Sequence, residues 1–145
     1  MKHVFRMTIL ALLLAANTVL AAAIPATMYR SPDCSCCEKY AAYLKANGFA
    51  VKVVDTPDMK SVKKHFGSDR LSSCHTMIVG GYVVEGHVPV AAIRKLLQQR
   101  PAIVGISVPG MPTNSPGMGP EVKGTLRVMA IEKNVSGAPR LYSVE

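Results

Sequence analysis

The sequence predicts an α/β fold, because segments with strand-like and helix-like spacing alternate along most of the chain. In the helix-like segments apolar residues recur every three or four positions, whereas in the strand-like segments β-branched residues alternate with others. Two strand-like runs are joined by Gly80-Gly81, which is typical of a tight antiparallel hairpin. The length of 145 residues allows one modest domain.

The first strand, first helix and second strand are predicted in the first third of the chain. Ala26 to Arg30 is the strand, which ends at Ser31-Pro32-Asp33, and Asp33 or Ser35 then offers a helix cap. The helix ends at Asn47-Gly48, and Phe49 to Val54 follows as the second strand. The apolar positions of the helix are Cys37, Tyr40, Ala41 and Leu44.

A second helix, the hairpin and a third helix complete the predicted order. Asp55-Thr56-Pro57 opens the second helix and Gly67 ends it, with apolar residues on one face and lysines on the other. The hairpin spans 77–84, and the third helix runs from about Pro89 to the residue before Pro101. The resulting order, βαβαββα, is that of a thioredoxin domain.

The sequence after residue 100 departs from this pattern. Ten of the 24 residues from Pro101 to Gly124 are Gly or Pro, so we expect no regular element there, and a loop of this length is usually functional or disordered. Thr125 to Lys133 is predicted as a late strand, and 134–145 shows no pattern. We therefore expect a thioredoxin-like domain over 24–100 and a C-terminal extension over 101–145 that packs on it.

The first 23 residues predict a cleaved export signal. A basic start with Lys2 and Arg6 precedes the apolar stretch Met7 to Ala16, and small residues lead to cleavage after Ala23. An uncleaved anchor is the alternative, but the apolar run is shorter than the roughly 20 residues that a spanning helix needs. No later stretch could span a bilayer, so we expect a protein of an oxidising compartment, the periplasm in a Gram-negative bacterium, without stable membrane insertion.

The formal net charge of +8 does not indicate nucleic-acid binding. The basic residues are scattered or lie on helix-like surface runs such as Lys60, Lys63 and Lys64, without interleaved aromatic residues or a nucleic-acid motif. Solubility accounts for this charge, with some attraction to an acidic partner.

Three of the four cysteines lie in Cys34-Ser35-Cys36-Cys37, between the first strand and the first helix. Cys34 and Cys37 form the C-x-x-C pair of a thiol redox site, and a helix N-terminus favours their thiolate forms. In a thioredoxin-like domain, Cys74 would face the other three from the position normally taken by a cis-proline. Four converging sulfurs suit Cu(I), zinc or an iron-sulfur centre, whereas two structural disulfides are the alternative.

The histidines offer weaker signals. His65 lies among lysines and is predicted at the surface. His75 adjoins Cys74 and is either a metal ligand or a residue that orients one, although it would point away from Cys74 if both lay in extended backbone. His87, between the hairpin and the third helix, is predicted as a cap or surface residue, with a ligand role kept as the alternative.

Two methionines lie in repeated Pro-Gly-Met tripeptides of the extension. Met111 and Met118 occur where no hydrophobic face exists, so either they attach the loop to the domain or their thioethers bind copper.

These features together resemble the periplasmic, thioredoxin-like copper-resistance family called CopG. The resemblance runs from about Met28 to Met118. It implies a thioredoxin domain with a C-terminal extension, copper ions bridged by cysteine sulfurs, and interconversion of Cu(I) and Cu(II) alongside copper efflux. The matching elements are the C-x-C-C motif, Ser73-Cys74-His75-Thr76, Gly81-Tyr82, Glu85-Gly86-His87-Val88-Pro89 and the two Pro-Gly-Met tripeptides.

The resemblance also implies roles for individual residues. In the CopG family a C-terminal extension contributes to metal binding. Pro109 to Met118 matches that extension, so the resemblance favours Met111 and Met118 as ligands. Gly119 stands where an acidic residue is expected, and Thr113-Asn114 replaces a smaller pair. The residues implied as bridging thiolates are Cys34, Cys36, Cys37 and Cys74.

The predicted function is therefore that of a monomeric periplasmic protein with a multinuclear Cu(I)/Cu(II) centre, whose partners are copper ions and a copper efflux system. Met111, Met118, His75 and His87 are the additional candidate ligands. Two alternatives stay open: a thiol-disulfide oxidoreductase that uses Cys34 and Cys37 as catalytic residues, and a copper store or chaperone without redox turnover. Whether the protein is an enzyme, as a copper oxidoreductase would be, is also left open.

Overall fold

The computed structural model describes residues 22–133 and 137–145, which contain a seven-stranded sheet and three α-helices. The strands are β1 (Ile24–Arg30), β2 (Phe49–Asp55), β3 (His75–Val79), β4 (Tyr82–Glu85), β5 (Gly105–Ser107), β6 (Arg127–Ile131) and β7 (Leu141–Val144). The helices are α1 (Ser35–Ala46), α2 (Met59–Phe66) and α3 (Val90–Gln99), and Asp69–Leu71 forms one 3₁₀ turn. The α/β class and the order βαβαββα are confirmed.

The strand order in the sheet is β2-β1-β3-β4-β5-β6-β7. β1 is parallel to β2 and antiparallel to β3, and β3 and β4 form the predicted hairpin. Gly80 and Gly81 both have positive φ, of 55° and 85°, as a two-residue turn that follows the twist of the strands requires. The first four strands thus have the thioredoxin arrangement.

The helices cover both faces of the sheet. α1 and α3 lie together on one face, where the Val90 N–H donates to the Tyr43 hydroxyl at 3.0 Å and Arg94 donates to the Asn47 carbonyl at 2.9 Å. α2 lies on the other face, with the Phe66 ring 5.6 Å from that of Tyr29. The fully buried side chains of the core include Tyr40, Met28, Leu44, Met77, Ile93 and Leu96. All four predicted apolar positions of α1 are buried, and their removal from water stabilises the packing of helix on sheet.

The expectation that 101–124 contains no regular element is wrong at Gly105–Ser107. These residues form β5, which pairs in parallel with β4 and antiparallel with β6. Gly105 is needed there because a Cβ atom would lie 1.8 Å from the Val83 carbonyl oxygen. β6 lies within the predicted late strand, and β7 adds an outer strand from the segment that showed no pattern. The extension therefore continues the sheet of the domain.

The predicted export signal lies mostly outside the described residues. Ala22 and Ala23 are exposed just before β1, and residues 1–21 are not described. Across the described ranges, no helix combines the length and apolar character that a bilayer crossing needs.

Candidate metal centre

The start of α1 carries three of the four cysteines. Cys34 precedes the helix and Cys36 and Cys37 lie in its first turn. The Cys37 side chain is fully buried, whereas Cys34 and Cys36 are partly buried. Cys34 and Cys37 are joined in a disulfide, with their Cα atoms 5.3 Å apart, and the Cys36 sulfur lies 3.5 Å from that of Cys34. This pairing follows from the C-x-x-C spacing, which places both side chains on the same side of the first helical turn.

Cys74 approaches these sulfurs from the loop that leads into β3. The sulfur atoms of all four cysteines lie within 4.8 Å of one another. Burial, with a further contribution from the neighbouring Cys36, raises the pKa of the Cys74 thiol to about 12. Cys74 is therefore a protonated thiol near neutral pH, and metal binding would have to displace its proton.

Two histidines add nitrogen donors to the Cys74 sulfur. His75 Nδ1 lies 3.3 Å from this sulfur and His87 Nε2 lies 3.0 Å from it. The expectation that His75 would point away from Cys74 depends on extended backbone at both residues. That condition is not met, because Cys74 lies in a bend before β3 and only His75 belongs to the strand.

The prediction of His87 as a cap or surface residue is wrong. Its side chain is 1% exposed, and Nδ1 lies 2.6 Å from the Pro116 carbonyl oxygen. Because a carbonyl only accepts, Nδ1 carries the proton in neutral His87, and Nε2 presents a lone pair toward Cys74. The loop that buries His87 comes from about 30 residues further along the chain, so no local pattern could have revealed its burial.

Tyr40 of α1 packs against both imidazoles. The helical spacing of the sequence predicted it only as a core residue. Its ring centroid lies 4.7 Å from that of His75 and 4.9 Å from that of His87, and its hydroxyl donates to the Val88 carbonyl at 2.7 Å. Burial lowers the pKa of both histidines, and His87 and Lys63 lower that of His75 further. Both imidazoles are therefore neutral at pH 7, which is the form that binds metals.

The extension closes over the site at two points. Gly110 donates its N–H to the Ser72 carbonyl at 3.0 Å and accepts a hydrogen bond from the Ser73 hydroxyl. At the other end, Gly117 lies against α1, where a Cβ atom would come within 2.9 Å of the Tyr40 nitrogen. Both contacts are made by the central glycines of the two Pro-Gly-Met tripeptides.

The two methionines of these tripeptides differ in exposure. The Met111 side chain is 58% exposed, whereas Met118 is partly buried. Cysteines and histidines form the assembled part of the candidate centre, and ligation by Met111 or Met118 stays a prediction.

A buried ion pair supports the loop before β3 from the face of the sheet that α2 covers. Lys63, predicted on a surface lysine run, is buried and pairs with the fully buried Glu85. Glu85 also accepts hydrogen bonds from the Thr76 hydroxyl at 2.7 Å and from the Ser73 N–H at 2.6 Å. The surface prediction is wrong for Lys63 because its long side chain reaches from α2 to a carboxylate of β4. His65, in contrast, is exposed as predicted.

The donor set determines which metals suit the site. Four sulfurs and two imidazole nitrogens form two overlapping groups that share Cys74: the four cysteines, and Cys74 with His75 and His87. Thiolates select soft ions such as Cu(I), and imidazole also suits Cu(II). The residues present therefore fit copper in either oxidation state.

Known proteins that are similar to this chain include a copper resistance protein. Residues 71–118 match the family described as "Protein of unknown function, DUF411", and the search of curated proteins returns no match. Two solved structures, described as forms 1 and 2 of the copper resistance protein CopG, are each 36% identical in sequence, with a TM-score of 0.74. Each alignment covers 85% of this chain and 98% of the other. The chain with this sulfur and imidazole cluster belongs to the CopG family of copper resistance proteins.

Proposed function

We propose that the protein binds copper ions at the cysteine and histidine cluster as a multinuclear centre, and that it interconverts Cu(I) and Cu(II) in copper resistance. The observation that carries the proposal is the convergence of four cysteine sulfurs within 4.8 Å, with two buried imidazoles beside one of them. The similarity to CopG structures supports copper as the ion.

Each donor would have a distinct part in this function. In the reduced protein, Cys34, Cys36, Cys37 and Cys74 would bridge Cu(I) ions, since a thiolate sulfur binds more than one soft cation. His75 and His87 would add harder donors that accommodate Cu(II). Tyr40 packs on both imidazoles and fixes their orientation, so the donors would move little when the charge of the ion changes.

The cellular setting is part of the same proposal. We place the protein in the periplasm after cleavage of its export signal, as a monomer that acts alongside a copper efflux system. An exported setting is consistent with a centre whose cysteines occur both as thiols and as a disulfide.

Anaerobic Cu(I) titration of the reduced protein against a competing chelator tests copper binding. The combined substitution of Cys34, Cys36 and Cys37 by Ser removes three of the four sulfurs, so we expect a loss of affinity of at least 100-fold. His65→Gln is the matched control, because His65 is exposed on α2. Cu(I) binding by the triple variant that is as tight as that of the unmodified protein would contradict the proposal.

A thiol-disulfide oxidoreductase is the second candidate, favoured by the disulfide between Cys34 and Cys37 at the start of a helix. Ser73-Cys74 stands where the peptide-docking proline of thioredoxin folds is expected, which counts against it. Catalysed reduction of a disulfide-linked peptide by the metal-free protein would favour this candidate. Transfer of copper without a change of oxidation state would instead favour a store or chaperone.

A further inference from the structure

Two of the four cluster sulfurs are oxidised in the structure while two are not. The Cys34 and Cys37 sulfurs share a disulfide bond, and Cys36 and Cys74 are free. Because only the thiolate acts as a metal ligand, formation of this bond removes two donors from the cluster. The same four cysteines therefore exist in two states that differ by two electrons and in their capacity for copper.

A second donor group is independent of that bond. Cys74, His75 and His87 form it, and neither disulfide sulfur belongs to it. Donor atoms that bind one ion at about 2.0–2.3 Å lie roughly 3.5 Å from one another, and the two nitrogens lie 3.3 and 3.0 Å from the Cys74 sulfur. This group therefore keeps its three donors close enough to share an ion when Cys34 and Cys37 are oxidised.

The two cysteines of the disulfide differ in access. Cys37 is fully buried, whereas Cys34 is partly exposed and lies 3.5 Å from the free Cys36 sulfur. Both stand at the N-terminus of α1, which stabilises thiolates over thiols. An incoming ion can therefore meet Cys34 first, and Cys37 lies within bonding reach behind it.

We propose that Cys34 and Cys37 supply the electrons that reduce Cu(II), and that Cys74, His75 and His87 retain Cu(I) while these two cysteines are joined. This inference rests on the proposed function and assigns its electron source. Each of the two thiolates gives one electron to one Cu(II) ion, so two Cu(II) become two Cu(I). One S–S bond forms, and two protons leave if the sulfurs begin as thiols. A dithiol reductant restores the pair by exchange and becomes a disulfide itself.

The test is a stoichiometric reaction of fully reduced, copper-free protein with two equivalents of Cu(II) without oxygen. Three quantities are measured: Cu(I) by a chromophoric chelator, free thiols by a colorimetric reagent, and disulfide position by mass spectrometry of peptides. We expect two Cu(I), the loss of two thiols, a bond between Cys34 and Cys37, and copper that stays with the protein on desalting. Reduction without thiol loss, or a bond between Cys36 and Cys74, would overturn the assignment.

Matched pairs of variants separate the two roles. The double substitution Cys34→Ser with Cys37→Ser should slow Cu(II) reduction at least tenfold, whereas Cys36→Ser with Cys74→Ser should still reduce Cu(II) and release Cu(I) on desalting. His87→Gln should likewise form the disulfide and retain less copper. Wild-type reduction rates in the first variant would overturn the assignment of electrons. Failure of reduced wild-type protein to bind Cu(I) at all would refute the proposed function instead.

Discussion

Glu85 is a buried carboxylate that connects the core to the candidate metal centre. It faces Lys63 and binds the N–H of Ser73, the residue before Cys74. Ser73 in turn donates its hydroxyl hydrogen bond to Gly110 of the extension. The position of Cys74 and the attachment of the extension therefore both depend on one buried carboxylate that is not part of the candidate donor set.

Substitution Glu85→Gln tests this dependence. It leaves the Lys63 ammonium buried without a counter-charge, so we expect a loss of about 3–5 kcal/mol in the free energy of unfolding, measured in urea at pH 7. Adding Lys63→Met should recover part of that loss because the unpaired charge disappears. The control Glu132→Gln removes the partner of Arg140 in a surface pair and should cost less than 1 kcal/mol. Equal losses at Glu85 and Glu132 would contradict the argument.

Cys74 should show the alkylation behaviour of a buried thiol. Its pKa is raised to about 12 by burial and by Cys36, whereas an ordinary thiol has a pKa of about 8.5. In the protein with Cys34 and Cys37 joined, the rate of Cys74 alkylation by iodoacetamide should rise about tenfold per pH unit up to pH 10. Site-resolved mass spectrometry measures this rate.

The Cys36→Ser variant is the comparison for this measurement. Removing the neighbouring thiol removes one cause of the raised pKa, so the Cys74 rate should level off at a lower pH. A rate that is already constant above pH 9 in the unmodified sequence would contradict the assignment.

At the scale of elements, the extension is held by a close backbone contact. Gly117, with φ of 78°, leaves room for the Tyr40 nitrogen of α1, and its neighbour Pro116 accepts the hydrogen bond of His87. Gly124 has almost the same φ, 77°, but a Cβ atom there would meet nothing within 4 Å. Substitution of either glycine would strain the backbone, but only substitution of Gly117 would also create a steric clash.

Gly117→Ala should therefore destabilise the protein more than Gly124→Ala. Both pay the cost of positive φ, about 1 kcal/mol, and only Gly117→Ala adds overpacking against α1, about 1–3 kcal/mol more. Urea unfolding measures the difference, and hydrogen exchange at the His87 ring should accelerate in Gly117→Ala alone. Indistinguishable unfolding curves would mean that the loop moves off α1 without cost.

The elements differ in how far the sequence could predict them. The spacing of α1 and the Gly80-Gly81 hairpin follow local rules, so both were predictable. β5 was missed because it has only three residues and the first is a glycine. This glycine is required because Val83, on another strand, leaves no room for a Cβ atom. Lys63 and His87 were assigned to the surface for the same reason: their burial is produced by segments distant in the chain. The cysteine spacing, in contrast, indicated the site itself.

For the whole molecule, the centre lies where four separate segments meet. They are the start of α1, the loop before β3, the loop after β4 and the extension. The strands fix the first three relative to one another, and β5 and β6 attach the extension to the same sheet. Unfolding of the domain and loss of the donor set should therefore be one cooperative event, so global stability also reports on the site.

That stability should fall in acid, because the folded protein keeps two histidines neutral. Burial is the main cause of the lowered pKa of both His75 and His87, and Tyr40, Cys74 and Lys63 surround His75 without offering it an anionic partner at neutral pH. The unfolded chain binds protons at these residues near pH 6.5, whereas the folded protein does so only at lower pH. As the pH falls below about 6.5, proton uptake thus favours the unfolded state, by up to about 1.4 kcal/mol per pH unit for each histidine. Urea unfolding of metal-free protein between pH 7.5 and 5 should show this loss.

His75→Gln should flatten the slope of stability against pH, and the exposed-site control His65→Gln should keep it. Stability that stays constant from pH 7.5 to 5, or an unchanged slope in His75→Gln, would show that the buried imidazoles take up protons in the folded protein.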